Sequence, residues 1–375
     1  MSDLPSICFL APNTYPVLVN NTNLKLIGGA EVQQCIIARA LHRRGYKVSM
    51  ICHDYGQPDK HHIDGIQIFK AHKPNEGLPV LRFIHPRTTS LWRAMIRADA
   101  DIYYQRCASY YTGLVSFFCR QTGKKMIFSA ASDSDFAPGK QLIKYKRDKL
   151  IYEWGLKHAD AIIAQSPQQQ ELCRKNYKRE SVYIPSCYNF SCCGEEANKQ
   201  IDVLWVATIR PLKQVEIFIE IAQRLPELRF RIVGGPPGGN DNDSYYCKIK
   251  DMAAMVPNLE FIGYVPYEKI DKHFSEARLF VNTSKFEGFP NTFLQAWALG
   301  IPALSFFDLD ISFEGQQVSM AVSSIDEMIN KIKELIAYPS KYDAIRNTCK
   351  KYTARFHAPE KIAAEYSKVV TSLLD

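Results

Sequence analysis

The chain runs to 375 residues, 46% hydrophobic and 23% charged, with a formal net charge of +8; a length of this order predicts two domains rather than one very large core. No apolar run of about eighteen residues occurs, which argues against a membrane-spanning helix, and the basic residues form no aromatic-interleaved platform, which sets nucleic-acid binding aside. Eleven cysteines without a signal peptide predict reduced thiols and a cytoplasmic chain, and Cys187, Cys192 and Cys193, with no histidine nearby, read as hinge thiols rather than zinc ligands.

In chain order, Ile7-Cys8-Phe9-Leu10 reads as a buried strand, followed by a long loop and Gly28-Gly29-Ala30-Glu31, where a helix begins that runs to Arg44 and stops at Gly45. Glycines at a helix start let an anionic ligand sit against free backbone amides. Lys47 to Ile51 is the next strand. No G-x-G-x-x-G follows the first strand, which argues against a nicotinamide or flavin enzyme. Thr88 to Arg97 carries Trp92, Met95 and Ile96 on one side, a stripe that reads either as core or as a membrane-leaning face. Asp101 to Tyr104 predicts a strand with Gln105-Arg106-Cys107 in the loop after it, and Met126 to Ser129 a strand followed by the loop from Ala130 to Asp135. Basic residues thicken here, among them Lys140, Lys144, Lys146, Arg147 and Lys149, a surface suited either to anionic lipid headgroups or simply to solvent. Val182-Tyr183-Ile184 closes a first domain of residues 1–185, and 186–199 reads as the hinge.

The second domain, 200–355, opens on the buried strand Val203 to Ala207 and the helix Glu216 to Leu225, leaving Thr208-Ile209-Arg210-Pro211-Leu212-Lys213 as the loop between. Arg210 can fork onto two phosphate oxygens and Lys213 adds a point charge three residues on. Phe230 to Val233 is a strand ending in Gly234-Gly235, at the edge where open parallel sheets bind ligands. The run Leu279-Phe280-Val281 is another buried strand, broken by Gly288 and Pro290; Asn291 is the expected N-cap of a helix from Thr292 to Leu299, with Gly300 at C′. The amides of Thr292, Phe293 and Leu294 are expected to be free at that helix start, with Gly288 admitting a ligand to the backbone and Phe289 beside it. Residues 356–375 contain a last amphipathic helix.

The order of these segments resembles glycosyltransferase family 4, the retaining nucleotide-sugar transferases of the α/β GT-B fold. Arg210-Pro-Leu-Lys213 matches its Arg-Pro-x-Lys pattern, Gly28-Gly29 its first-loop glycines, and Glu287 with Gln295 its pair of glutamates separated by seven residues, the second here being glutamine. The resemblance implies two Rossmann-like parallel-sheet domains facing each other across a cleft, with the last helix packing back on the first domain. It implies that Glu287 faces the donor sugar, that Gln295 meets the ribose, and that Arg210 and Lys213 stabilise the departing diphosphate. A charged acceptor contributes roughly 1.5–3 kcal/mol and a neutral one about 0.5–1.5, so glutamine weakens ribose binding by on the order of tenfold.

Relatives often carry a histidine in the first domain's loop and a His-Asp pair in the next, where this chain has Arg106 and Ser132-Asp133. Arg106 is then a binder for an anionic group, and Asp133 a receiver for a hydroxyl proton or an orienter of the sugar. Asp133-x-Asp135 also has the spacing of a manganese site, but the same spacing recurs at Asp241-x-Asp243 and Asp308-x-Asp310, and Arg210 with Lys213 supplies the positive charge, so no metal and no cofactor are expected. The expected activity is transfer of a hexose from a nucleoside diphosphate onto a glycan or lipid-linked glycan in cell-surface polysaccharide synthesis, with peripheral membrane contact through the basic first domain. Two other readings stay open: an inactive relative that binds a glycan or a partner, and a sugar-nucleotide epimerase of related fold.

Overall fold

A computed structural model describes residues 4–19, 28–78, 83–189, 199–285, 287 and 289–375. The chain forms two compact units: one ends at Cys187 and recovers Pro359–Asp375, the other holds Tyr188–Ala358. Most of the expected hinge, with Cys192 and Cys193, lies outside the described residues.

The first unit begins with strand β1 (Ser6–Leu10), the short helix α1 (Tyr15–Leu18), α2 (Gly29–Arg43) and β2 (Lys47–Cys52). β3 (His61–Ile63), β4 (Ile66–Lys70), α3 (Thr89–Ala98), β5 (Ile102–Arg106), α4 (Tyr110–Thr122) and β6 (Lys125–Ser129) follow. α5 (Lys146–His158), β7 (Ala161–Ala164), α6 (Pro167–Tyr177) and β8 (Val182–Tyr183) complete this stretch. Among the described residues these strands make an eight-stranded sheet in the order β3-β4-β2-β1-β5-β6-β7-β8, parallel except for the edge strand β3. Helices cover both faces of such a sheet, which is why β1, β5 and β6 read as continuous apolar runs. Gly45 adopts φ +94°, a left-handed turn open to glycine, and so ends α2.

The stripe on α3 is core: Met95 is fully buried, and Trp92 packs edge-on against Phe118 at 5.0 Å, while Ile96 stays exposed. α4 and α5 cross at two glycines that the periodicity does not single out. A Cβ on Gly113 would lie 2.3 Å from the Ile151 carbonyl, and one on Gly155 would lie 2.5 Å from Gly113 Cα. Burial pushes the Cys8 and Cys52 thiols up to about 12, which makes them packing groups rather than nucleophiles.

The second unit contains β9 (Ile201–Val206), α7 (Val215–Arg224), β10 (Phe230–Val233), α8 (Ser244–Ala254), β11 (Leu259–Gly263) and α9 (Tyr267–Ser275). β12 (Ala277–Asn282), α10 (Asn291–Ala298), β13 (Ala303–Ser305) and the β14–β15 ribbon (Ser312–Phe313, Gln316–Gln317) come next. β16 (Ser319–Ala321), α11 (Ile325–Ala337) and α12 (Pro339–Phe356) end it. Its parallel sheet has the order β11-β10-β9-β12-β13-β16. The chain therefore steps outward from β9 in one direction and restarts beside it at β12, so the loops after β9 and β12 leave the sheet side by side at the switch point where open α/β sheets bind ligands. Every residue of β9 is buried, with Trp205 and Trp297 among the largest fully enclosed side chains.

The last helix, α13 (Pro359–Leu374), belongs to the first unit. Its buried Ile362, Tyr366 and Val369 recur at helical spacing, and it lies against α2. Tyr366 meets Tyr104 edge-on at 5.9 Å, and Arg43 pairs with Glu360 at 3.0 Å.

His53 and His72 follow β2 and β4, with ring centroids 4.6 Å apart and both side chains buried. Burial, then the neighbouring His72 and Arg87, lower His53 from its usual range to about 4. A histidine held below its unfolded value contributes stability that is full above about pH 6.5 and lost as pH falls through the folded value, here on the order of 3 kcal/mol. Denaturant midpoints of the wild type are expected to fall between about pH 6.5 and pH 4, and those of His53→Phe to fall less; parallel curves would contradict this assignment.

Candidate active site

The site is built first from the two loops at the switch point of the second unit. After β9 the chain turns at Arg210, whose backbone is extended (φ −151°, ψ 155°), into a short 3-10 turn over Pro211–Lys213. Gln214 takes a left-handed φ of +47° and leads into α7. The Arg210 side chain is exposed and has no partner among the described residues. Lys213 is turned inward, only 9% exposed, and its Nζ pairs with Glu287 Oε1.

Glu287 is held by more than this one cation. Ser284 Oγ donates to Glu287 Oε1 at 2.7 Å and Asn282 Nδ2 donates to the same oxygen at 3.5 Å. A relay ties the two loops together: Trp205 Nε1 donates to Thr283 Oγ1 at 3.0 Å, Thr283 Oγ1 donates to the Lys213 carbonyl at 2.7 Å, and the Lys285 amide donates to the Leu212 carbonyl at 3.1 Å. Trp205, Asn282, Thr283 and Ser284 were not singled out from sequence. Their only local signal is position, since they sit at the carboxyl ends of β9 and β12, or just past them.

Gly234 serves this loop from the neighbouring strand. A Cβ there would lie 2.0 Å from the Ala207 carbonyl, and the Ile209 amide donates to Gly235 O at 2.9 Å, so glycine lets the end of β10 press against the backbone that carries Arg210.

The helix after Glu287 differs in detail from expectation. Pro290, not Asn291, occupies the N-cap, and α10 begins at Asn291. The Phe293 amide is not free, because it donates to the Pro290 carbonyl at 3.0 Å. Thr292 is partly exposed in this first turn. Phe289 stacks on His357 at 5.3 Å, and Gly300 takes φ +70° after the helix end. Gly288 lies outside the described residues.

Gln295 is only 3% exposed, and its Nε2 donates to Asp271 Oδ1 of α9 at 3.3 Å. Gln295 was expected to flank the ligand, and its amide is held by a carboxylate from the preceding helix. Burial raises the Asp271 carboxyl above its usual range, against the hydrogen bonds from Tyr188 and Gln295.

In the first unit, Gly28 is the exposed N-cap of α2 with an ordinary φ of −104°, and Gly29 is its exposed first residue. A Cβ on Gly28 would lie 2.4 Å from Glu31 Oε2, so the glycine leaves room for a carboxylate that folds back over the helix start. Arg106 is not in a loop. β5 continues through it, and it is 7% exposed, with Nη1 donating to Ser129 Oγ at 3.2 Å and to Tyr104 Oη at 3.5 Å. The run Gln105-Arg106 stays in the strand because it pairs with Phe128 and Ser129 of β6, a long-range pairing that local pattern does not reveal.

Asp133 and Asp135 divide their work. Ser132 caps a 3-10 turn over Asp133–Phe136, and the Asp135 carboxylate accepts from the amides of Ala131 (2.7 Å) and Ser132 (3.3 Å), which makes it a cap. Asp133 is partly buried with Oδ1 unpartnered among the described residues, and burial raises its carboxyl above the usual range.

The model of the Glycosyltransferase Family 4 domain matches residues 27–189, and that of Glycosyl transferases group 1 matches residues 200–338. An alpha-galactosylglucosyldiacylglycerol synthase of Streptococcus pneumoniae is 28% identical over 43% of this chain and 43% of its own length. The O-antigen chain mannosyltransferase B of Escherichia coli is 28% identical over 38% of this chain and 34% of its own length. A GDP-Man:Man(3)GlcNAc(2)-PP-Dol alpha-1,2-mannosyltransferase of Xenopus laevis is 23% identical over 59% of this chain and 50% of its own length. The chain thus spans half or less of these curated relatives. Sucrose-phosphate synthase from Thermosynechococcus elongatus superposes with a TM-score of 0.78 at 16% identity over 99% of each chain. Anabaena HepE in complex with UDP and glucose superposes with a TM-score of 0.73 at 15% identity over 98% of this chain and 100% of the other. With the two family models together covering most of its length and two Rossmann-like units of GT-B type, the chain belongs to glycosyltransferase family 4, the group 1 glycosyltransferases.

Proposed function

We propose that the chain is a retaining, metal-independent glycosyltransferase that moves a hexose from a nucleoside-diphosphate sugar to a glycan or lipid-linked glycan acceptor in cell-surface polysaccharide synthesis. The observation that carries this reading is the pairing of Lys213 with Glu287 on a loop that also carries an exposed Arg210 with no partner among the described residues, at the switch point of a parallel sheet. As the bond from the anomeric carbon to the diphosphate lengthens, negative charge grows on the leaving oxygen. Arg210 and Lys213 meet that charge, the lysine already held in place by Glu287. Glu287, fixed by Ser284 and Asn282, positions the donor sugar through whatever acceptor capacity its lysine leaves. Gly28 and Gly29 stay in this reading as donor-binding residues, as do Gly288, Phe289, Pro290, Asn291 and Thr292.

Asp133 is the residue of the first unit best suited to receive the acceptor hydroxyl proton, because its carboxyl is raised and one oxygen is unpartnered among the described residues. Arg106 drops out as an anion binder, since strand, Tyr104 and Ser129 enclose it. A lipid-linked acceptor and work at a membrane surface draw support from two relatives whose names carry a diacylglycerol and a PP-Dol moiety. No described helix is long and apolar enough to cross a membrane. The ribose contact is assigned to Gln295 together with Asp271, which restores a carboxylate to the neighbourhood of position 295.

Three outcomes test this. Removing Arg210 by Arg210→Ala is expected to lower kcat about a hundredfold, equivalent to about 3 kcal/mol of lost transition-state stabilisation; near wild-type turnover would sink the reading. In a thermal-shift panel of UDP, GDP, ADP and their sugar conjugates, one nucleotide family is expected to raise Tm with or without chelator. Ligand at a hundred times its Kd stabilises by about 2.7 kcal/mol. A shift with none of them would favour an inactive binding protein, and conversion of the donor without any acceptor would favour an epimerase. Finally, Gln295→Glu sets a second carboxylate against Asp271, and it is expected to lower stability at neutral pH rather than to improve donor affinity; tighter donor binding at unchanged Tm would contradict the assignment.

A further inference from the structure

We infer that the first unit carries a hydrocarbon-chain site between α4, α5 and residues 83–88, through which it docks on an anionic bilayer and takes in one lipid chain; this deepens the lipid-surface reading above. A cavity of about 530 Å3 opens there, within the usual range of about 300–1,000 Å3 for small-molecule sites. Its walls come from Phe83, Tyr110, Phe117, Leu150, Ile151 and Trp154, and Gly113 forms part of its wall where α4 and α5 cross. The Thr88 hydroxyl at its rim is spent on the Phe83 carbonyl at 2.7 Å. Besides Thr88 the only hydroxyl of the lining is that of Tyr110, which leaves too few polar groups to orient a sugar or a nucleotide, since these need several convergent ones.

The exposed apolar surface continues beyond the cavity. Leu150 is 68% exposed, Phe117 48% and Trp154 38%, and in the adjoining segments Leu142 and Ile84 are also exposed. Scattered exposed apolar residues are ordinary, but a cluster around an apolar opening marks an interaction face. Its charge selects the occupant. From Lys140 to Lys149 the sequence places five cations against one carboxylate. Lys140, Lys144 and Lys146 are exposed with no ion-pair partner among the described residues, while Arg147 lies 3.5 Å over the Phe83 ring. An apolar opening beside unpaired lysines fits an anionic lipid, whose head meets the lysines while its chain fills the cavity.

The test uses the full chain with vesicles of phosphatidylcholine alone, of phosphatidylcholine with phosphatidylglycerol, and of the latter with brominated acyl chains. Expected are co-sedimentation with the anionic vesicles only, affinity reduced about tenfold or more by Leu150→Glu and by Lys144→Glu with Lys146→Glu, and tryptophan quenching by brominated chains that Trp154→Phe removes. Light scattering without lipid reads the alternative occupant. A dimer that Leu150→Glu dissolves would overturn the proposal in favour of a second copy, as would vesicle binding that Leu150→Glu leaves unchanged or quenching that survives Trp154→Phe. The nucleotide thermal shift separates this from the transferase reading: vesicle binding without any nucleotide shift costs the transferase, and a nucleotide shift without vesicle binding costs this site.

Discussion

The second unit is organised around one ion pair, Lys213 with Glu287, set where the order of parallel strands reverses. Strand β12 pairs with β9 in parallel register, Leu279 beside Val203 and Phe280 beside Leu204. That register delivers the two following loops to the same place. The Trp205–Thr283–Lys213 relay then locks one to the other. The paired side chains keep only 11% and 16% of their exposure. Removing one partner of a fully buried pair costs about 3–5 kcal/mol, and this partly solvated pair less. A lysine so placed is held where it is needed, and the carboxylate is fixed by three donors rather than one.

Other features follow as supports. Gly234 lets β10 approach the loop that carries Arg210, so a residue expected to bind the donor also shapes the backbone beside it. In the first unit the equivalent economy is seen at α4 and α5, where Gly113 and Gly155 bring two helices into backbone contact and leave an apolar cavity beside the crossing. α13 closes the same unit by packing Tyr366 on Tyr104, which in turn helps enclose Arg106.

Much of this was legible in sequence wherever a local rule governs. Val203 to Ala207 and Phe230 to Val233 declare buried strands by composition, and Gly45 and Gly300 declare helix ends through their left-handed φ. The family pattern brought attention to Arg210, Lys213 and Glu287, which lie together on adjoining loops. What was not legible depends on distant partners. Arg106 was expected in a loop, but Ser129 extends the strand across it. Gln295 was expected to meet the ribose, and the partner that holds its amide, Asp271 of α9, lies on another helix. In each case a side chain with two plausible partners was decided by tertiary contact, and no local periodicity carries that information.

The central claim is that Lys213 and Glu287 act as a unit on the donor. A double-mutant cycle on donor turnover with Lys213→Ala, Glu287→Ala and both together tests it most directly. The account predicts strong non-additivity, the double variant losing little more than the worse single one, as groups that work as a unit do. Losses that simply multiply, or a Lys213→Ala variant of near wild-type turnover, would contradict it.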